Sequence, residues 1–151
     1  MRVKTGDIHY MKRLIILTLI LGFYPKSAHA ILGEKVQVRT LKVVNNKYSI
    51  SSKVDEHHIH TSEFFDHSGN VFGVCWKSSS QRADTKSLLG EKYSSLYSEK
   101  IKTAVHRKGQ RIVAIKDKDM LINEGHIGRG YFGCVADPKL IPEGVSTHEI
   151  H

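Results

Sequence analysis

Val71-Phe72-Gly73-Val74-Cys75-Trp76 and, beyond the polar link Ser78-Ser79-Ser80-Gln81, the run from Asp84 to Val105 decide the fold of this chain. The first stretch is dense in β-branched and aromatic residues and follows Asp66-His67-Ser68-Gly69-Asn70, a turn by composition. Strand alternation puts Phe72, Val74 and Trp76 on one face and Val71, Gly73, Cys75 and Lys77 on the other. In the second stretch Leu88, Leu89, Tyr93, Leu96, Tyr97, Ile101, Ala104 and Val105 recur at threes and fours. That spacing predicts one amphipathic helix over Thr85–His106, about 33 Å long if unbroken. Asp84 can cap its start, Gly90 weakens it slightly, and Lys108-Gly109 closes it. Trp76 and Phe72, with Tyr93 and Tyr97, are the expected contact between sheet and helix.

Working outward, the segment 57–65 joins 71–77 through the Asp66–Asn70 turn as a hairpin, and 47–53 forms a further extended stretch after an Asn45-Asn46 turn. Residues 31–40 read equally as a short strand or a loose N-terminal arm. After the helix, 111–115 is a strand and Met120-Leu121-Ile122 a short apolar run. Gly125-His126-Ile127-Gly128-Arg129-Gly130 reads as a flexible bend, 131–136 as a strand, and Pro138 and Pro142 fix an irregular tail. The class is α+β: an antiparallel β-sheet with one long amphipathic helix packed on one face, in the order β-β-β-α-β-β. Each layer needs the other to keep its apolar face out of water.

The beginning of the chain reads as a leader. Met11-Lys12-Arg13 is a basic start, Leu14 to Phe23 an apolar core, Pro25 a break, and Ala28-His29-Ala30 a small-x-small cleavage site. The apolar run is about half of the roughly 20 residues that a membrane-spanning helix needs. We therefore expect a signal peptide region over 1–30, with translation starting at Met1 or Met11, and a single exported domain over 31–151. The address is periplasmic or secreted, with no transmembrane span in the mature protein.

Charge points away from nucleic acid. The chain has 23 Lys+Arg against 15 Asp+Glu, net +8. Residues 1–30 hold five basic side chains and one acidic one, so the remainder has 18 against 14, net +4, scattered from Lys35 to Lys139. A nucleic-acid binder concentrates positive charge on one face. The two cysteines, Cys75 and Cys134, are too far apart for a CxxC motif or a local zinc knuckle. On neighbouring or facing strands they form one disulfide if their Cα atoms lie within about 7 Å; otherwise they are separate thiols, and either could pair with a histidine as a nucleophile.

Other candidate sites are few. His58 and His60 would share one face of a strand, and with His67 in the following turn they make a candidate metal set. The competing reading is a polar strand side in solvent. His126 and Arg129, in the glycine-rich run, are the candidate contact for an anion or partner, although no P-loop ending and no helix follow them. No paired carboxylates demand acid–base catalysis, and no cofactor is called for.

Taken in order, several strings resemble a known family: Ile31-Leu32-Gly33 after the leader, Gly69-Asn70-Val71-Phe72-Gly73-Val74-Cys75-Trp76, Leu88-Leu89-Gly90, Tyr131-Phe132-Gly133-Cys134-Val135-Ala136, and Pro138-Lys139-Leu140-Ile141-Pro142-Glu143-Gly144-Val145. They are similar to the bacterial secreted proteins grouped as domain of unknown function 2844, over 31–150. The resemblance implies an exported single domain and no established activity. This chain departs from it by carrying both cysteines, by Lys77-Ser78 after the tryptophan, and by Ser62-Glu63-Phe64 where the family has an arginine-glutamate-tyrosine string. The joint presence of the cysteines is what an acquired disulfide would look like. The leading reading is a non-enzymatic envelope or secreted protein that binds an envelope protein or surface component. A small histidine-based metal binder comes second and a small hydrolase third.

Overall fold

The computed structural model describes residues 31–35, 42–104 and 112–150. The leader, the Val36–Val38 strand reading and the helix closure at Lys108-Gly109 lie outside these residues. Among the described residues seven strands, β1 (Lys42–Asn45), β2 (Tyr48–Val54), β3 (His60–Phe65), β4 (Val71–Ser78), β5 (Ile112–Lys116), β6 (Leu121–Ile127) and β7 (Gly130–Ala136), build one sheet. Their spatial order is β1-β2-β3-β4-β7-β6-β5, antiparallel throughout. One helix, α1 (Thr85–Thr103), follows β4, and a short 3-10 turn, Thr147–Glu149, precedes the end. The α+β class and the single helix covering one face are as the sequence predicts.

Three local expectations are corrected. The Gly125–Gly130 run is a hairpin and not a flexible bend: Ile127 pairs with Gly130, leaving Gly128-Arg129 as a two-residue turn. Gly128 takes φ +62 there, the sign that hairpin turns matching the strand twist require at their first central position. The helix is not continuous, because Gly90 has φ 73 and ψ 169 and breaks it one turn after the Asp84 cap. A Cβ at Gly90 would run into Ile31 Cγ2, so the break lets the N-terminal segment pass close by. Finally, β3 starts at His60. Glu56, His57 and His58 belong to a turn that the Asp55 carboxylate organises by accepting from the amides of His57 and Ile59, both at 2.9 Å.

The most consequential correction is in β4. Phe65 pairs with Val71 and Phe64 with Gly73, so an extra residue is accommodated between them. Such a bulge shifts side-chain alternation by one. Val71, Val74 and Trp76 therefore face α1, packed with Phe65, Leu89, Tyr93, Tyr97 and Met120. Phe72 faces the other way and joins Tyr48, Phe64, Ala136, Val145 and Ile150 in a second core. The expected Phe72–Trp76 pairing under the helix is replaced by two cores, one on each side of the sheet. Both rings are nonetheless dry, Phe72 at 0% exposure and Trp76 at 6%. Trp76 meets Tyr97 edge to face at 6.2 Å, a geometry that aromatic quadrupoles favour.

The C-terminal segment covers the second core. Ile150 lies over Gly73, where a Cβ would sit 3.2 Å from its Cγ2, and Lys47 Nζ donates to Gly144 O at 2.6 Å. Ser146 and Glu149 close a capping box around the final turn.

Candidate functional site

The register shows how much of the sheet this segment leaves bare. Residues paired across antiparallel strands share a face, so the face opposite α1 can be followed in rows. The row Ile50, Phe64, Gly73, Ala136, Leu121 lies under the C-terminal segment. The next row is Ser52, Ser62, Cys75, Cys134, Asn123, Ala114, and the one after it Val54, His60, Lys77, Phe132, Gly125, Ile112. Over these rows between Ser52 and Asn123, and on to Lys42 and Val44 of β1, runs a trough of about 1450 Å³, which crosses the strands from β1 to β6 instead of following them. Five inter-strand spacings make its floor roughly 24 Å long.

The disulfide sits in the middle of that floor. Cys75 and Cys134 are directly opposed on β4 and β7, with Cα atoms 4.0 Å apart, and they form the bond that the sequence left open. No free cysteine remains, so the thiolate–histidine pair is overturned. Ser52 and Ser62 hydroxyls meet at 3.1 Å beside it. Lys42, Lys77, His58 and His60 line the trough, and Glu149 is its one acidic lining residue. Glu149 is engaged locally by the Ser146 amide at 3.1 Å, and it lies beside Tyr48, whose hydroxyl is pushed above its usual range by burial and then by this carboxylate. Val54 and Ile112, at the two ends of the outer row, are 54% and 44% exposed.

The histidine set is not assembled. His60 opens β3 while His67 lies in the turn beyond its other end, and the strand between them is about 17 Å long. His58 stands in the Asp55 turn at φ 58. His58 and His60 both border the trough, and all three are exposed. Among the described residues, no group of three or more His, Cys, Asp or Glu side chains is placed to hold a metal ion.

On the helix side a smaller crevice of about 450 Å³ opens where α1 leaves the β6–β7 hairpin. His126 and Tyr131 pair across β6 and β7, their rings at 6.4 Å, and Arg82 from the β4–α1 link lies 5.7 Å from the same tyrosine ring. Arg129, expected beside His126, occupies the exposed hairpin turn; the guanidinium over Tyr131 is that of Arg82. Tyr97 donates to Glu124 within the crevice. Burial, then the hydrogen bond to Glu124, hold the Tyr97 hydroxyl far above the usual tyrosine range. The sequence had no means of flagging Arg82, Tyr97 and Glu124. They lie on three different elements, and only the β6–β7 register and the helix position bring them together.

The profile of the family described as Protein of unknown function (DUF2844) matches residues 20–150, and the chain belongs to that family. No curated protein and no solved structure matches it. Among the described residues no helix is long and apolar enough to cross a membrane.

Proposed function

We propose that this chain is a non-enzymatic exported domain whose trough receives an extended acidic segment of a partner protein of the envelope. The observation that carries this reading is the pair of uncovered rows on a face otherwise buried by the C-terminal segment. A trough whose floor mixes hydroxyls, a disulfide and the half-buried Phe132 is too large for most small-molecule pockets, which run from about 300 to 1,000 Å³. The rim is rich in cations, Lys42 and Lys77 with His58 and His60 beside them, against one locally engaged carboxylate. Positive patches of this kind select and orient acidic partners. Export is supported by the leader-like residues 11–30 and by the disulfide, since such bonds persist in oxidising compartments.

The test uses a labelled peptide of alternating glutamate and valine with the protein from residue 31 onward. Binding is expected to weaken with added salt, to fall on Lys77→Glu, and to survive Arg129→Glu on the hairpin turn. Binding that ignores Lys77→Glu, or no binding by folded protein, refutes the reading. Dimerisation that Lys77→Glu abolishes would refute it too, by making a second copy the occupant.

A further inference from the structure

The helix-side crevice shares only Trp76 and Phe132 with the lining of the trough, and its polar side chains are different ones. Its volume, about 450 Å³, falls within the range of small-ligand pockets. Three cationic or proton-donating side chains border it, Arg82, Lys102 and His126, and Glu124 is the only acidic group in its lining. That carboxylate already accepts the Tyr97 hydroxyl. Aromatic rings form part of its remaining wall: Trp76, Tyr97, Tyr131 and Phe132, with the aliphatic Ile101 and Val113 beside them. Arg82 and His126 both lean on the Tyr131 ring, which brings a guanidinium and an imidazole to one place. Guanidinium matches carboxylate geometry with two parallel hydrogen bonds, and aromatic faces accept a planar ring.

We propose that this crevice binds a small aromatic carboxylate, with the carboxylate on Arg82 and His126 and the ring against Trp76, Tyr97 and Tyr131. A free amino acid is the less suitable occupant, because its ammonium would enter a lining with Arg82, Lys102 and His126 and only Glu124 to offset them.

Trp76 is the only tryptophan of the chain and borders both crevice and trough, so its emission reports binding at either, and the Arg82 and Lys77 variants assign the signal. The protein from residue 31 onward is titrated with 3-phenylpropionate, with 3-phenylpropanol as the neutral counterpart and phenylalanine as the zwitterionic one. The expected result is a saturable change with 3-phenylpropionate and a far weaker one with the other two. Arg82→Gln weakens binding about tenfold or more, the loss of a charge-assisted bidentate contact. Glu124→Gln strengthens it by removing the opposing charge, and Lys77→Gln in the trough leaves it unchanged. Because Arg82 is exposed, its replacement tests the site without endangering the fold. The proposal is overturned if 3-phenylpropionate gives no saturable change, if Arg82→Gln binds like the parent, or if the alcohol or phenylalanine binds as well as the acid.

Discussion

Gly133→Ala is the sharpest probe of the sheet–helix packing. Gly133 pairs with Trp76 across β4 and β7 and lies beneath its indole. A methyl at this position would stand 2.9 Å from Cη2 of Trp76, with two more ring carbons closer still. Ordinary carbon–carbon contact needs about 3.5 to 4.0 Å, so the ring or the strand must give way by an ångström or more. The indole has little room, being held edge-on by Tyr97 at 6.2 Å. Overpacking a filled core costs about 1–3 kcal/mol, and the rigid, enclosed neighbour puts this case at the upper end, about 3 kcal/mol. For a domain of this size, at about 4 °C per kcal/mol, the midpoint falls by about 12 °C. Circular dichroism melts give the midpoint, and the emission of the single tryptophan shows whether the ring has moved. Trp76→Phe shortens the ring that meets the new methyl, so adding it to Gly133→Ala should cost less than the two single changes summed. A Gly133→Ala protein within about 0.5 kcal/mol of the parent, or strict additivity in the double mutant, would refute the packing described here.

Three further outcomes follow from other parts of the molecule. Replacing both Cys75 and Cys134 by alanine opens a loop of 59 residues, and chain entropy puts the loss at about 4 kcal/mol; urea unfolding of the oxidised parent and the double variant measures it, and equal midpoints would contradict the linkage. Tyr93→Phe removes the hydroxyl that donates to buried Asp137 at 2.7 Å, at a cost of about 1.5–3 kcal/mol. Burial and then Asp137 push the Tyr93 hydroxyl up from 10.0 to about 12, so its contribution is complete below pH 10 and is lost as pH rises through 12; stability of the phenylalanine variant should lack that alkaline decline. The Asp117 carboxyl is lowered from 3.8 to about 2, first by its hydrogen bond from Lys100 and then by the amides of Asp119 and Met120. Its stabilising effect is present above pH 3.8 and disappears as pH falls through 2, and an NMR titration of Lys100→Ala should find the Asp117 carboxyl closer to its ordinary value.

How far the sequence could be read depended on whether each feature was local. The Asp66–Asn70 turn was legible because its chemistry is self-contained: Asp66 accepts from the amides of Ser68 and Asn70, both at 2.8 Å. The Asp84 cap was legible for the same reason, with its side chain accepting from Lys86 at 3.0 Å. Bulges leave no such mark. Nothing in Val71-Phe72-Gly73 announces that one residue is extra relative to a partner strand, so alternation carried Phe72 to the wrong face. Periodicity likewise cannot distinguish a tolerated glycine from a break, and Gly90 breaks the helix because Ile31, remote in sequence, lies against it. The Gly125–Gly130 glycines suggested freedom, whereas strand pairing spends only Gly128 on a turn. Of the candidate residues, the cysteines could be named as one possible bond, which strand parity permitted without deciding, and the crevice of Arg82, Tyr97 and Glu124 depends on tertiary placement alone.

The same bulge explains why both candidate surfaces exist. A seven-stranded sheet presents two broad faces, and one broken helix covers one of them. By turning Phe72 outward, the bulge gives the second face an aromatic anchor with Tyr48 and Phe64, their ring centres about 6 Å apart. This anchor holds the C-terminal segment at one end of the face, where Val145 and Ile150 complete the core. Had Phe72 followed simple alternation, the segment would have lost its main docking ring, and the uncovered area would extend to the row of Phe64 and Ala136. The residues in the rows that stay open agree with this division. Their middle holds serines, an asparagine, a lysine, a histidine and the cross-link, with Phe132 among them and the apolar Val54 and Ile112 at the two ends of the outer row. A half-buried aromatic ring among polar neighbours, on a part of the sheet that the described residues leave open, is the arrangement expected of a surface kept for contact and not for folding.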